Sequence, residues 1–427
     1  MPKTIQDAVT ICRQLGVKFL WIDALCIIQG DDSEWNRESP KIAGIFANAI
    51  LTIAADSADG VEKGFLDHLT PASCTDDDVN GGIHQCPSPL SWNEPLNRRA
   101  WSLAEVIFSN RIVHYTSLEM VWECNETRTW ECGHSLAVEN DDEDSFRIFR
   151  NLSLPNPPTR DDLYCKWTIV IRQFTRRQIN SHGRQDRDSA RLTALARVAR
   201  RFSEIMKKLS DVEDEYLAGI WKGDLSRSLL WSVDTDFCSG ELGQHQQWRR
   251  PQQPRAPSWS WAAVEGPATV QRVSDFQTEV HFETVIVRPA NPDDPFGAVT
   301  SGELVVRGRV VHNLHVKLQN HDPANNIDAQ IWHVHVNIHG ESSKFLADVP
   351  LDGVKQFHTL SCVYFGNGQI GGSSTEEQQP YHAFLLLQPI SGAESTFQRV
   401  GISTPSTSCA GISILFDHAT EERITIV

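Results

Sequence analysis

The sequence predicts an α/β N-terminal part, a helical middle and a mostly antiparallel β C-terminal part. Three observations carry this. Residues 17–28, which overlap Phe19-Leu-Trp-Ile-Asp-Ala-Leu-Cys-Ile-Ile-Gln29, are nearly continuously apolar, as a strand buried on both faces is. A helical pattern and a second apolar run, 50–55, follow them. Leu192, Leu195, Ala196, Ala199, Phe202, Ile205, Met206 and Leu209 form a long stripe at helical spacing. From Thr278 onward the apolar period shortens to two.

Residues 4–15 read as an amphipathic helix. Ile5, Ala8, Val9, Cys12 and Leu15 line one face, Thr4 and Asp7 form a capping-box variant, and Gly16 ends it. The run 17–28 is then a strand, and Gly30–Ser33 a turn. Ile42, Ile45, Phe46 and Ala49 give the next helix its stripe. Pro40 fits only at its first position, with Ser39 as cap and Glu38 just before it. Residues 50–55 are the second strand, so strand, helix and strand imply a parallel crossover. Residues 59–92 read as an irregular loop. A short helix capped by Ser102 runs to Phe108, and 111–115 and 119–124 look like a strand pair.

Residues 134–160 are acidic and Pro-rich, most of all Val138-Glu-Asn-Asp-Asp-Glu-Asp144, and read as a flexible insertion or a domain boundary. Residues 163–222 read as helical. Trp259 and Trp261 face one side of a strand as core anchors. The period-two segments 279–287, 303–311, 330–338, 382–387, 411–416 and 423–427 read as antiparallel strands. The divisions are therefore 1–125 for the α/β domain, 126–160 for the insertion and 161–235 for the helical segment. A Trp/Pro-rich connector, 236–277, and a β-rich domain, 278–427, complete the chain.

Composition narrows the functions. The 427 residues suffice for two or three domains of roughly 150 residues each. Lys+Arg is 39 against 55 for Asp+Glu, a net charge of −16, which argues against a general nucleic-acid binder. No apolar run approaches the ~20 residues of a membrane span, and the N-terminus lacks the apolar core of a signal peptide. The ten cysteines form no C-x-x-C pair, which fits reduced thiols in a cytoplasmic protein better than a disulfide framework. His333, His335 and Asn337 alternate along one strand, with His312 and His315 upstream. They lack the local spacings of a zinc site, as do Cys124 and Cys132, so no metal is expected. No dinucleotide, P-loop or nucleophile-elbow motif is present.

Several blocks carry a resemblance. Leu20-Trp-Ile-Asp-Ala-Leu-Cys-Ile-Ile-Gln29, Glu34-Trp-Asn-Arg-Glu-Ser39, Ile50-Leu-Thr-Ile-Ala-Ala-Asp-Ser57 and Arg99-Ala-Trp-Ser-Leu-Ala-Glu105 resemble the fungal heterokaryon-incompatibility (HET) domain. Asp188–Ala196, Tyr216–Leu225 and Pro257–Ala262 are similar to segments that follow that domain in many fungal members. The resemblance implies a TIR-like, flavodoxin-like sheet. It also implies a role in non-self recognition and programmed cell death through protein contacts, self-association among them. The family has a strand and a Ser-Tyr-x-Trp-Gly-like block upstream of its Pro-Lys-Thr-Ile segment. Here that segment begins at Pro2, so the expected domain is incomplete, with an unpaired edge on 17–28. Ala104 also stands where the family has glutamine.

Two site readings follow. Some TIR domains cleave NAD with a glutamate that follows a tryptophan. The analogous residue is Glu38, after Trp35, with Asp23 as its neighbour at the strand's carboxyl end, where open α/β sheets bind ligands. NAD would then be a substrate, and no resident cofactor is expected. The plainer reading has Asp23 cap a turn and Glu38 pair with Arg37 or Lys41. Trp21, Cys26, Trp35, Arg99, Trp101 and Glu105, the other motif residues, read as structural.

Overall fold

The structure is a computed structural model. It describes residues 1–67, 94–137, 146–150, 158–178, 190–210, 213–234, 248–271, 273–314, 316–320, 332–338, 341–349, 360–370, 379–403, 416 and 419–427. The chain forms two compact units. The first is Met1–Lys166, Arg177–Asn180 and Arg200–Asp211; the second is Trp167–Arg176, Ser181–Ala199 and Val212–Val427. Among the described residues no helix is long and apolar enough to cross a membrane.

The first unit is a mixed α/β fold. Its helices are α1 (Lys3–Gln14), α2 (Asp23–Cys26), α3 (Asp32–Glu38) and α4 (Ile42–Asn48). After β1 (Thr52–Ala54) come α5 (Ala100–Phe108), β2 (Arg111–Tyr115), β3 (Met120–Cys124), β4 (Thr127–Trp130), β5 (Ser135–Ala137) and α6 (Arg147–Arg150). The sheet order is β1-β2-β3-β4-β5. Only β1–β2 is parallel, and α5 is the crossover between them. Period-two side chains give the sheet two faces. Ile53, Val113, Tyr115 and Met120 pack with Ala8 and Ile11 of α1 and with Phe65. The opposite face, with Ile112, His114, Val121, Glu123 and Arg128, is also buried. Arg150 of α6 joins Glu123 on that face to the carbonyls of Val106 and Ile107 in α5.

Several expectations are corrected. Residues 17–28 are not a strand. Residues 17–22 carry no regular structure, and α2 follows because the carbonyl of Ile22 accepts the Leu25 and Cys26 amides. An unbroken apolar run signals burial without choosing a backbone state. The expected crossover from 17–28 to 50–55 is therefore absent. Thr4 does not cap α1. Its hydroxyl sits inside the helix, donates to the Gly60 carbonyl at 3.0 Å and accepts the Gly64 amide at 3.2 Å. Asp7 is buried, pairs with Lys3 at 2.8 Å and accepts the Phe65 amide at 2.9 Å.

Residues 32–38 are a helix of their own. Asp31 caps it by accepting the Ser33 and Glu34 amides at 2.9 and 3.1 Å. Ser39–Lys41 is a 3-10 turn with Pro40 near its start, where a missing N–H costs nothing. Ser102 is not a cap either. The helix begins at Ala100, and the Ser102 hydroxyl donates back to the carbonyls of Arg99 and Leu96. The sheet runs past residue 125, since β4 and β5 lie within the stretch read as an insertion. The acidic run 138–144 lies outside the described residues.

The helices α7 (Arg160–Thr175) and α8 (Ala190–Ser210) contribute residues to both units. Within the second unit, β6 (Tyr216–Leu217) and β7 (Ile220–Trp221) form a hairpin where a helix was expected. The cause is the turn. Ala218 and Gly219 both have positive φ, 49° and 101°, as a two-residue hairpin loop of the mirror-image type requires. The carbonyl of Gly219 accepts the indole N–H of both Trp167 and Trp261 at 3.0 Å. After α9 (Leu225–Ser228), β8 (Trp231–Val233) pairs with β9 (Ala268–Val270). Trp259 and Trp261 are buried anchors as expected, although Trp261 begins a 3-10 turn rather than lying on a strand.

The remaining strands are β10 (Ser274–Thr278), β11 (His281–Pro289), β12 (Val299–Leu314), β13 (Val316–Asn320), β14 (Trp332–Ile338), β15 (Glu341–Ala347), β16 (Leu360–Ile370), β17 (Gln379–Pro389), β18 (Thr396–Ser403) and β19 (Glu421–Ile426). They form one 10-stranded sheet in which β12, β16, β17, β18 and β19 close into a ring. A closed ring with an odd number of strands cannot alternate direction throughout, and β18–β19 is its parallel pair. The expected strand 411–416 lies outside the described residues except for Phe416, which packs into the barrel core with Tyr364 and Phe384. The side chains of His333, His335 and Asn337 are also outside the described set. Arg399 of β18 lies over the Trp231 ring at 3.9 Å, donates to the Leu229 carbonyl at 2.7 Å and pairs with Asp348 at 3.2 Å. It thereby ties the barrel to β8.

A Cβ on Gly219 would meet the Trp261 ring at 2.7 Å in a backbone conformation that side chains rarely adopt. Gly219→Ala is expected to destabilise the chain by about 2–3 kcal/mol. A lower urea midpoint by tryptophan fluorescence checks this, and an unchanged midpoint would refute the turn assignment.

Candidate functional site

The residues singled out in the sequence do not converge. Asp23 opens α2 on the surface, where its carboxylate accepts the neighbouring Ala24 amide at 2.6 Å. Glu38 ends α3 and accepts from Lys41 at 2.8 Å and Arg37 at 3.1 Å. The Lys41 hydrogen bond foremost, with Arg37 beside it, holds the Glu38 carboxyl below its usual range. For Glu38 these are ion pairs with Arg37 and Lys41, whereas Asp23 is the first residue of α2 and caps nothing, the N-cap being Ile22. The motif tryptophans do meet: Trp35 packs edge-on against Trp101 at 6.3 Å, and Trp21 against Phe46 at 5.7 Å. Cys26 is exposed. The Arg99 backbone bridges to Gln178, and the Glu105 carbonyl accepts the Ser109 hydroxyl at 2.8 Å.

A different group gathers where parallel strands end. Asp56 lies two residues past β1, and His114 is the penultimate residue of β2. Their contact, Asp56 Oδ2 to His114 Nδ1, is 2.7 Å, at exposures of 1% and 0%. Glu94, also buried, accepts both the amide and the hydroxyl of Ser117 at 2.9 and 2.7 Å. Backbone bonds close the group, from Ser57 N to the Tyr115 carbonyl and from Leu96 N to the Asp56 carbonyl. Asp56 Oδ1, Glu94 Oε2, Ser57 Oγ and His114 Nε2 are buried without a hydrogen-bond partner among the described residues. Burial pushes the Asp56 carboxyl above its ordinary range. Glu94 adds to that, while His114 and Arg177 oppose it.

One strand over, Glu123 receives Arg128 through Nη2 and Nε at 2.9 and 3.1 Å, and Arg150 at 2.8 Å. Burial alone would raise this carboxyl, but the two guanidinium groups outweigh it and bring it down to about 2. A band of buried polar groups thus crosses the sheet from Asp56 to Arg128.

A carboxylate that fixes an imidazole through Nδ1 leaves Nε2 oriented for a proton or a polar ligand. Here the pair is enclosed, and what its contacts visibly do is hold the carboxyl ends of β1 and β2 together. Among the described residues no three His, Cys, Asp or Glu side chains are arranged to hold a metal. Sequence reasoning missed this group. The available signals were an Asp directly after an apolar strand and a His on the inward phase of Arg111-Ile-Val-His-Tyr115.

Residues 1–105 match the family model described as Heterokaryon incompatibility protein (HET). Neither the curated proteins nor the solved structures compared with the chain gave a match.

The two carboxyls make opposite predictions with pH. The folded-state value of Glu123 is depressed, so its stabilisation is full above the ordinary carboxylate range and is lost as pH falls toward about 2. Glu123→Gln should remove that acid dependence and cost about 3–5 kcal/mol at neutral pH, by leaving two buried arginines uncompensated. The folded-state value of Asp56 is raised, so its ionisation opposes folding as pH rises above the ordinary carboxylate range. Asp56→Asn should therefore flatten stability on that side, while His114→Ala should be the more damaging change. Urea titrations at a series of pH values check both signs.

Proposed function

Because residues 1–105 match the HET family model, we propose that this chain is a fungal non-self-recognition protein that signals cell death through protein contacts in the cytoplasm. The observation that carries this reading is what the domain exposes and what it seals. Its polar group at the strand ends is enclosed, whereas Phe19, Leu25, Ile28 and Ile50 stand in solvent. Large apolar side chains left in solvent are what a surface that meets other proteins needs. A kinship with TIR domains is part of the proposal, supported by the parallel β1–α5–β2 crossover. The contrasting idea, hydrolysis of NAD at Asp23 and Glu38, gains no such support, since each of those side chains is engaged locally.

The test is inducible expression of the full chain in a filamentous fungus. Expression should arrest growth and reduce viability. Trp101→Ala, which removes the contact with Trp35, should abolish the effect. Normal growth with folded protein present would refute the signalling role. Nicotinamide release from NAD by the purified chain, lost in Glu38→Ala, would instead establish the enzyme.

A further inference from the structure

The barrel of the second unit carries a serine, a histidine and a glutamate in one hydrogen-bonded line. We propose that Ser361, His312 and Glu422 form an acyl-transfer site that hydrolyses esters of small carboxylic acids. This activity goes beyond the signalling role and rests on different residues.

Three strands of the closed ring supply the line. Ser361 stands on β16, His312 on β12 and Glu422 on β19. Ser361 Oγ lies 2.8 Å from His312 Nδ1, and His312 Nε2 lies 3.0 Å from Glu422 Oε2. A bulge on β12 brings the first two together. Val311 pairs with Cys362 and Leu314 with Leu360, so His312 and Asn313 both oppose Ser361. The four flanking side chains pack in one core cluster, and the residues between them turn away from it. Asn313 has a positive φ of 56°, which asparagine tolerates better than most residues. Two further contacts fix the outer groups. The Phe397 ring of β18 stacks on the imidazole at 6.0 Å and 23°. The Thr420 hydroxyl donates to Glu422 Oε1 at 3.2 Å.

Elementary chemistry places the protons. A carboxylate only accepts, so Nε2 of His312 carries the hydrogen that Glu422 receives. In the neutral imidazole Nδ1 is then the acceptor, and the hydrogen of the second bond belongs to Ser361. A hydroxyl that donates to an imidazole oriented by a carboxylate is an activated nucleophile. Ser361 Oγ bonds to the carbonyl carbon of the ester, and its proton passes to His312 Nδ1. That proton leaves on the alcohol as the ester C–O bond breaks. Water then attacks the acyl group, and His312 takes a proton from it. His312 returns that proton to Ser361 Oγ as the carboxylic acid leaves. Glu422 touches no reacting atom and is a positioning residue. Exposure sets the substrate's size. The side chains of His312 and Glu422 are 37% and 36% exposed. Ser361 is only 2% exposed, so a small acyl group is the one that reaches its hydroxyl.

The experiment gives the full chain p-nitrophenyl acetate and p-nitrophenyl octanoate, with circular dichroism confirming the fold of each variant. The wild type should release p-nitrophenol from the acetate about tenfold faster than from the octanoate, or better. Mass spectrometry of the acid-quenched reaction should find an acetyl group on Ser361. Ser361→Ala should lose both the acetyl group and the turnover. His312→Ala should lower kcat about a hundredfold or more. Glu422→Gln should lower kcat about tenfold or more with KM unchanged, and Glu422→Asp should recover part of the loss. A folded wild type that hydrolyses neither ester overturns the proposal. So does an acetyl group found only on residues other than Ser361, or a folded Ser361→Ala that keeps the wild-type rate. Equal rates on the two esters overturn the small-acyl assignment. The acetyl group is mapped on the wild type, so that measurement decides even where a variant fails to fold.

Discussion

The parallel pairing of β1 with β2 is the constraint on which the first unit depends. Parallel strands need a crossover, and α5 supplies it. The pair itself is only three residues long, Thr52–Ala54 against Ile112–His114, too little ladder to hold two strands alone. Side chains reinforce it at both ends. At the amino end the Thr52 hydroxyl meets that of Ser109 at 2.7 Å, and Asn110 donates to the Ala47 carbonyl at 2.6 Å. At the carboxyl end stand the Asp56–His114 contact and the Ser57 amide on the Tyr115 carbonyl. The polar residues are placed where the backbone alone holds least.

That solution carries a cost, and the neighbouring strands show how it is offset. Burying a carboxylate is unfavourable unless charges and hydrogen bonds compensate it. Glu123 has two guanidinium partners and stays ionised far into acid. Asp56 has one imidazole, with Glu94 acting against it, and its carboxyl moves the other way. The two sites lie on the same buried face of the sheet, so their difference reflects partner number rather than depth. Arg150 does further work. It brings the four-residue α6 onto Glu123 and the end of α5, where a helix that short has little stability of its own.

What could be read from the sequence follows from this physics. Periodic patterns were legible: the stripe of α8, the helix α1, the β2–β3 pair and the described C-terminal strands stand close to where their spacing puts them, although Ile11 rather than Leu15 completes the buried face of α1. Residues 17–28 were misread because continuous apolarity has no period, and only long-range pairing can make such a run a strand. The hairpin at Tyr216–Trp221 was missed because its turn is Ala-Gly, and a positive φ at Ala218 is not what an alanine signals; the Gly219 carbonyl beside it holds the indoles of Trp167 and Trp261. The site was missed for a related reason. Asp56, Glu94 and His114 are far apart in sequence and become neighbours only when β1 and β2 align, so no local motif marks them.

The sealed group and the open stretch are connected through one layer. Tyr115, the last residue of β2, lies next to His114 and packs in the same cluster that anchors Leu20. Ile53 and Ala55 of the β1 region belong to that cluster as well. The polar clamp thus fixes the two strands whose outer face supports residues 17–22. The buried carboxylate and imidazole need no substrate to be useful on this view. They keep the floor beneath the exposed apolar stretch in one arrangement.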